Sequence, residues 1–194
     1  MVIGLTGGMG CGKSTVARRF EDLGFRRMDS DEVVRDHIMA SPGVIAAIAQ
    51  RFGSDALLPN GEVNRSWLGD LVFKNAGQLL WLENLLHPLL FAHWRQSLRE
   101  SETERWVFEV PLLFEKQLEN WFDFTLCVTS TRAHQLIRLE QRGITRAHAE
   151  LRISKQLPLA RKVELADFVI GNDGTPDFLR LQVDAWVGSL PPLR

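Results

Sequence analysis

The chain has 194 residues, of which 45% are hydrophobic and 24% charged, a globular composition that excludes a disordered chain. Twenty-three Lys and Arg stand against 24 Asp and Glu, a formal net charge of −1, which excludes nucleic-acid binding by bulk positive charge. Two cysteines, Cys11 and Cys127, exclude a disulfide-dense secreted scaffold, although a single bridge between them stays open.

Short apolar runs alternate with helical patterns, which predicts an α/β protein with a parallel sheet. The five predicted strands are 2–6, 25–28, 106–110, 124–128 and 167–170. Helices are predicted at 13–23, 131–142 and 145–156, and again from Pro176 onward. Arg26 and Arg27 argue against the second predicted strand, because arginines are unusual in a buried strand.

Residues 31–104 have an almost wholly helical pattern that is too long for one crossover helix, so they are predicted to form an insertion. Asn64 and Asn75 are predicted N-caps. Pro88 is predicted to divide the long apolar helix that surrounds it. Polar residues and this proline also interrupt the most apolar stretch, and no basic leader with an apolar core is present. A cytoplasmic protein with no membrane span is therefore predicted.

The strongest motif is GGMGCGKST at residues 7–15, which fits G-x-x-x-x-G-K-[ST] between a predicted strand and a predicted helix. The predicted nucleotide-binding positions of this phosphate loop are Gly10, Cys11, Gly12, Lys13, Ser14 and Thr15. Lys13 is predicted to reach the β- and γ-phosphates, and the Ser14 hydroxyl to bind Mg²⁺. Cys11 is either a small residue tolerated where the backbone binds, or a redox-sensitive thiol.

Acidic residues follow two predicted strands at the edge where ligands bind to a parallel sheet. Asp29 and Asp31 come after the second strand, and one of these carboxylates, with Asp31 favoured, is predicted to accept a proton from an attacking hydroxyl and to help bind Mg²⁺. Asp29 is equally compatible with a helix cap. Glu109 lies near the end of the third strand, where an acid can order Mg²⁺ through water, as Walker B acids do. Glu115 is either part of an acceptor pocket or a solvated acid.

Arg138 and Arg142 are four residues apart on one predicted helix, so they share a face and form either a phosphate clamp or a solvated charged surface. His87 either packs within the helical region or contacts a ligand.

The chain resembles the dephospho-CoA kinase family over nearly its whole length. The matching segments are 5–15, 29–31, 85–88 (LLHP), 110–115 (VPLLFE), 135–142, Gln156 and 166–172. The resemblance implies a P-loop NTPase-type parallel five-stranded sheet flanked by helices, with a helical insertion at 41–105. It implies a core formed by 1–40 and 106–194, and a helical lid at about 138–160.

This resemblance also implies transfer of the γ-phosphate of ATP to the ribose 3′-hydroxyl of dephospho-CoA, with Mg²⁺. It makes Asp31 the base, Lys13 and Arg138 phosphate ligands, Arg142 a lid residue and Asn172 part of the adenine site. The candidate acceptor-binding positions are Asp31, His87, Pro111, Leu112 and Glu115. The partners implied are ATP and dephospho-CoA, with no nucleic acid and no membrane. The oligomeric state is left open, with a monomer as the default.

Two other functions are compatible with the phosphate loop. The first is a kinase for another small hydroxyl acceptor, such as a nucleoside or nucleotide, because the loop does not identify the acceptor. The second is a nucleotide-dependent switch, although the chain lacks the Asn-Lys-x-Asp segment by which guanine switches read their base.

Overall fold

A five-stranded parallel sheet organises the computed structural model, which describes residues 1–101 and 103–191. The strands are β1 (Val2–Gly7), β2 (Arg26–Asp29), β3 (Trp106–Glu109), β4 (Phe124–Thr129) and β5 (Phe168–Gly171). Their order is β2-β3-β1-β4-β5, and all four pairings are parallel. The predicted sheet is confirmed, and the carboxyl ends of its strands lie at one edge.

Helices account for most of the remaining described chain. They are α1 (Lys13–Asp22), α2 (Ser30–Val33), α3 (Pro42–Phe52), α4 (Arg65–Val72), α5 (Ala76–Glu100), α6 (Arg132–Gln141), α7 (Arg146–Ser154), α8 (Leu159–Leu165) and α9 (Pro176–Ser189). A π-helix covers Val34–Ile38, and 3₁₀ turns cover Ser54–Ala56 and Glu119–Trp121. No helix in the described part of the chain is both long and apolar enough to cross a bilayer.

The chain forms two compact units, one comprising Met1–Asp29 with Thr103–Arg194 and the other Ser30–Glu102. In the first unit, α1 and α9 pack on the sheet through Phe20 and Val183, both fully buried. Arg19 of α1 and Asp184 of α9 add an ion pair with Nε–Oδ1 2.7 Å. The side chain of Thr175 caps α9 by accepting a hydrogen bond from the N–H of Phe178.

The second unit is helical, as predicted, with α2–α5 and the π-helix. Asn64 and Asn75 cap α4 and α5 by accepting hydrogen bonds from the N–H groups of Trp67 and Gln78. Both predicted N-caps are therefore confirmed.

Pro88 does not divide the helix around it, so that prediction is wrong: α5 runs through it for 25 residues. A proline inside a helix removes one hydrogen bond, because it has no N–H to donate to the carbonyl four residues earlier. The buried residues Leu82, Leu86, Leu90 and Trp94 recur every four residues on both sides of Pro88. This continuous buried stripe holds the helix together, while Pro88 is exposed on another face.

Two details of the first unit also differ from the sequence prediction. Residues 159–165 form α8, which the pattern did not reveal, because seven residues show too few turns for a clear periodicity. Helix α6 ends at Gln141, so Arg142 is its C-cap and lies just outside the helix, which was predicted to include it. The left-handed Gly143 (φ +77°) follows and ends the helix.

Candidate active site

The phosphate loop joins the carboxyl end of β1 to the start of α1, as the sequence predicts. Gly10 has φ +79°, and a Cβ there would lie 2.7 Å from the carbonyl oxygen of Gln135. Gly12 has φ +94°, and a Cβ would lie 2.2 Å from the side-chain nitrogen of Asn172. Both glycines are therefore required by backbone conformation and by close packing, which leaves the loop's backbone to face an anion.

The amino-terminal end of α1 carries the positive charge of the loop. Lys13 Nζ donates to the carbonyl oxygens of Gly7 (3.3 Å) and Gly8 (3.2 Å), which holds the ammonium over the loop. The first turn of α1 contains no acidic residue, so no side chain of that turn opposes the attraction of the helix terminus for an anion. Ser14 is half-buried and Thr15 exposed at this terminus. The arrangement is that of a polyphosphate site.

Arg138 lies against the loop from α6. Its Nη1 lies 3.3 Å from the carbonyl oxygen of Gly10 and 3.1 Å from Ser130 Oγ, and its Nη2 donates to the carbonyl of Asn172 at 2.6 Å. The side chain of Asn172 in turn donates to the carbonyl of Cys11 at 2.8 Å. Arg138 and Asn172 thus join the phosphate loop to the ends of β4 and β5. Their direct contact with nucleotide stays a prediction.

Arg142 and Arg138 have different surroundings, although they are only four positions apart in the sequence. Arg142 is exposed at the end of α6, whereas Arg138 is half-buried. The helices that follow are attached to the loop through Met9, which packs on a small cluster that includes Leu139 of α6 and Ala149 of α7. The side chain of Gln156 also accepts a hydrogen bond from the N–H of Met9 at 3.2 Å.

Cys11 is a buried thiol. It is fully buried in the main core beneath the loop, and burial raises its pKa although the Lys13 charge acts to lower it. Cys127 of β4 is also free and buried, and burial raises its pKa to about 12. A thiolate is the reactive form, so the structure favours the interpretation of Cys11 as a small tolerated residue.

The ends of β2 and β3 carry an ion-paired cluster that sequence reasoning missed. Asp29 and Glu109 are register partners on the two strands, and Arg27 lies two residues before Asp29. Arg27 Nε donates to Glu109 Oε1 at 2.6 Å, and its Nη2 lies 3.4 Å from Asp29 Oδ2. Burial acts to lower the pKa of Arg27, but the hydrogen bond and charge of Glu109 outweigh it and raise the pKa. The available sequence signal was that Arg27 and Asp29 are two residues apart, which puts their side chains on the same face of a strand.

Asp31 lies in the second unit, in the first turn of α2, with its side chain exposed. The π-helix begins three residues later, and Arg35 within it pairs with Asp36 at Nη2–Oδ2 2.7 Å. The hydrogen bond from Arg35 lowers the pKa of Asp36, so that carboxylate is committed to its neighbour. In the same unit, His87 is half-buried with its ring 5.8 Å from the ring of Phe91.

The segment after β3 contains the other candidate acceptor residues. Leu112 is 39% exposed, while Pro111 and Glu115 are half-buried. Glu115 Oε1 lies 2.8 Å from Nζ of Lys162, a lysine of α8 that sequence reasoning missed. Glu115 is thus ion-paired with a buried cation, which excludes its interpretation as a merely solvated acid.

The matching family model and the similar curated proteins agree on one family. The family model described as dephospho-CoA kinase matches residues 1–177. A dephospho-CoA kinase from Synechocystis sp. is 39% identical over 189 residues, covering 95% of this chain and 94% of its own. Among solved structures, a Thermus thermophilus protein is 28% identical with a TM-score of 0.82, covering 99% of this chain and 98% of that one. A dephospho-CoA kinase from Campylobacter jejuni shares the fold, with 24% identity and a TM-score of 0.71 over 96% and 95% of the two chains.

Proposed function

This chain belongs to the dephospho-CoA kinase family, and on that premise we propose how its own residues perform the reaction. The enzyme phosphorylates dephospho-CoA with ATP, which is the last step of coenzyme A synthesis. The acceptor oxygen of the ribose 3′-hydroxyl attacks the γ-phosphorus, the bond to the β–γ bridging oxygen breaks, and ADP leaves with that electron pair. The observation that carries the proposal is the phosphate loop, with the Lys13 ammonium held over it by Gly7 and Gly8.

The phosphate loop binds the triphosphate in this proposal. The backbone from Gly10 to Thr15 surrounds the phosphate oxygens, and Lys13 exchanges its carbonyl partners for the β- and γ-phosphates. Asn172 lies beside Gly12 and forms part of the nucleotide site. Arg138 holds the loop through the Gly10 carbonyl and stabilises the charge that develops on the transferred group.

Asp31 accepts the proton of the acceptor hydroxyl. It follows the carboxyl end of β2 by two residues, and its exposed carboxylate is accessible to a substrate. A positioned base of this kind contributes roughly 10²–10⁴-fold to the rate.

The proposed ligands of Mg²⁺ are Ser14 of α1 and Asp31 of α2. Ser14 offers a hydroxyl oxygen beside Lys13, and Asp31 offers a carboxylate, which are the hard oxygen ligands that Mg²⁺ prefers. The bound cation would neutralise charge on the β- and γ-phosphates. Glu109 does not contribute a ligand in this proposal, because Arg27 occupies its Oε1.

The second unit and the segment after β3 bind the acceptor. The acceptor-binding residues in this proposal are His87 of α5 and Pro111, Leu112 and Glu115 of the segment after β3. The residues from about 138 to 160 act as the lid, with the exposed Arg142 reaching the phosphates when the lid closes, so that water is excluded from the reacting group. The reaction takes place in the cytoplasm.

The test of these roles is turnover by the purified protein with ATP and Mg²⁺, with dephospho-CoA as acceptor and adenosine and AMP as controls. We expect ADP only with dephospho-CoA, and a product heavier by one phosphoryl group at the ribose 3′ position. Turnover with a control acceptor would overturn the acceptor assignment.

Asp31→Asn separates the base from the rest of the site. We expect kcat to fall roughly 10²–10⁴-fold, because the proton acceptor and one proposed Mg²⁺ ligand are lost, while the phosphate loop still binds ATP. Glu32→Gln is the matched control, since Glu32 is the adjacent acid of α2 and lies 3.5 Å from Arg35. Near-normal turnover of the Asp31 variant, or an equal loss in the control, would exclude Asp31 as the base.

A further inference from the structure

Lys162 of α8 is a buried cation with two oxygen partners. Its side chain is 0% exposed. Nζ donates to the carbonyl oxygen of Pro111 at 2.7 Å and lies 2.8 Å from Glu115 Oε1. A buried ammonium is strongly unfavourable unless it is paired and hydrogen-bonded. Lys162 is therefore held against the segment after β3 by an ion pair and a hydrogen bond, and a neutral apolar residue would make neither interaction.

Three parts of the first unit meet at this lysine. The Pro111 carbonyl also accepts a hydrogen bond from Thr6 Oγ1 at 3.3 Å, which attaches it to the end of β1. Glu115 Oε1 also accepts a hydrogen bond from the N–H of Leu157 at 2.9 Å, between α7 and α8. Lys162 thus links β1, the segment after β3 and the chain that leaves the lid region.

The same stretch of chain, residues 156–162, also contacts the phosphate loop. Gln156 accepts the hydrogen bond from the Met9 N–H, and Leu159 Cδ1 lies 3.6 Å from where a Cβ of Gly8 would be. One short segment therefore contacts the nucleotide-binding loop at one end and the segment after β3 at the other.

We propose that Lys162 is a positioning residue that holds segment 111–115, and with it the acceptor, in register with the phosphate loop. The inference rests on the proposed assignment of that segment to the acceptor. Glu115 Oε2 is buried and has no hydrogen-bond partner among residues 1–101 and 103–191, so Lys162 is the charge that compensates this carboxylate. With a neutral residue at 162, the carboxylate must move to reach water or a new partner, and the segment moves with it.

Lys162→Met tests the tie, and Arg161→Met is the matched control. Arg161 is the adjacent cation of α8, but its side chain is 56% exposed and pairs on the surface with Glu164. We expect Lys162→Met to raise KM for dephospho-CoA about tenfold or more and to lower kcat/KM by up to about 100-fold, as misplacement by about 1 Å does. KM for ATP should stay within about twofold, since Gln156 and Leu159 keep their contacts with the loop. The control should behave as the wild type.

A double variant, Lys162→Met with Glu115→Leu, separates positioning from simple stability. Replacing both members of a buried ion pair by apolar residues recovers stability, which removing one member does not. We therefore expect the thermal midpoint to recover while KM for dephospho-CoA stays above that of Glu115→Leu alone, because the hydrogen bond from residue 162 to the Pro111 carbonyl is still absent.

Two results would overturn the inference: an unchanged KM for dephospho-CoA in folded Lys162→Met, or a KM that recovers together with stability in the double variant. If the single variant does not fold, the double variant carries the test. Lack of turnover by the wild type would instead refute the proposed function, so the two failures are distinguishable.

Discussion

Substitution of Arg27 by Met perturbs the ion-paired cluster at the ends of β2 and β3. The Glu109 side chain is 3% exposed and the Arg27 side chain 22% exposed, so the pair is largely removed from water. Met preserves most of the volume of the arginine stem but none of its charge or donors. The variant would leave Glu109 buried beside its register partner Asp29, a second negative charge.

The magnitude follows from the asymmetry of buried ion pairs. Two unit charges about 4 Å apart attract by about 4 kcal/mol at an effective dielectric constant of about 20. This gain is largely cancelled by the cost of taking both ions out of water, so the intact pair contributes little net stability. Removing Arg27 alone keeps the desolvation cost of Glu109 and loses the attraction. We therefore expect a loss of about 3–5 kcal/mol in the free energy of unfolding.

Urea denaturation followed by circular dichroism measures this loss, with two comparison variants. Arg26→Met changes the adjacent cation of the same strand, which pairs on the surface with Glu104, and should cost less than about 1 kcal/mol. Arg27→Met with Glu109→Leu should recover most of the lost stability. A single-variant loss no larger than that of Arg26→Met, or a double variant less stable than the single one, would refute the reasoning.

Three further outcomes are expected. Burial acts to raise the pKa of Asp173, but hydrogen bonds from the Thr131 N–H and from His134 outweigh it and lower the pKa. The Asp173 carboxylate therefore stabilises the folded state above its unfolded pKa of about 3.9, and this contribution is lost as the pH falls through the folded pKa. Asp173→Asn should thus lower the urea midpoint at pH 7 and have less effect below about pH 4, and a constant difference would contradict this. Cys11 and Cys127 should react with a thiol reagent only after unfolding, and rapid labelling of the native protein would show that burial does not protect them. Pro88→Ala should stabilise the fold by about 1–3 kcal/mol and so raise the thermal midpoint, because it restores one hydrogen bond of α5. A lower midpoint would show that proline is the more stable residue at this position.

Much of the fold was predictable because its signals are local. A strand followed by Gly7 and a helix beginning at Lys13 are adjacent in the sequence, and the N-caps Asn64 and Asn75 act within three residues. Pro88 misled the prediction because a proline signal describes one lost hydrogen bond. It does not describe the buried stripe that outweighs the loss.

The positions of the candidate site residues were also predictable in outline, through the rule that parallel strands end at one edge. The rule places Asp29 and Glu109 at that edge, as the structure does. Their partners were not predictable in the same way. Arg27 is 82 residues from Glu109 in the sequence, and Arg138 is 128 residues from Gly10. Such pairs carry no local signal, because they form only when the sheet is assembled.

The partners decide what the acidic residues at this edge can do. Glu109 and Glu115 both follow from the strand-end rule as candidate site residues, and they are ion-paired with cations from distant segments, Glu109 with Arg27 and Glu115 with Lys162. Loss of one member of a buried ion pair leaves the other charge without compensation. Substitution of either carboxylate should therefore alter both the stability of the fold and the position of the segment that carries it. Asp31 lies in the first turn of a short helix with its side chain exposed, and substitution there should alter turnover with little effect on stability. Comparing unfolding with kinetics for variants at these three acids therefore separates the proposed base from the acids that hold the edge in place.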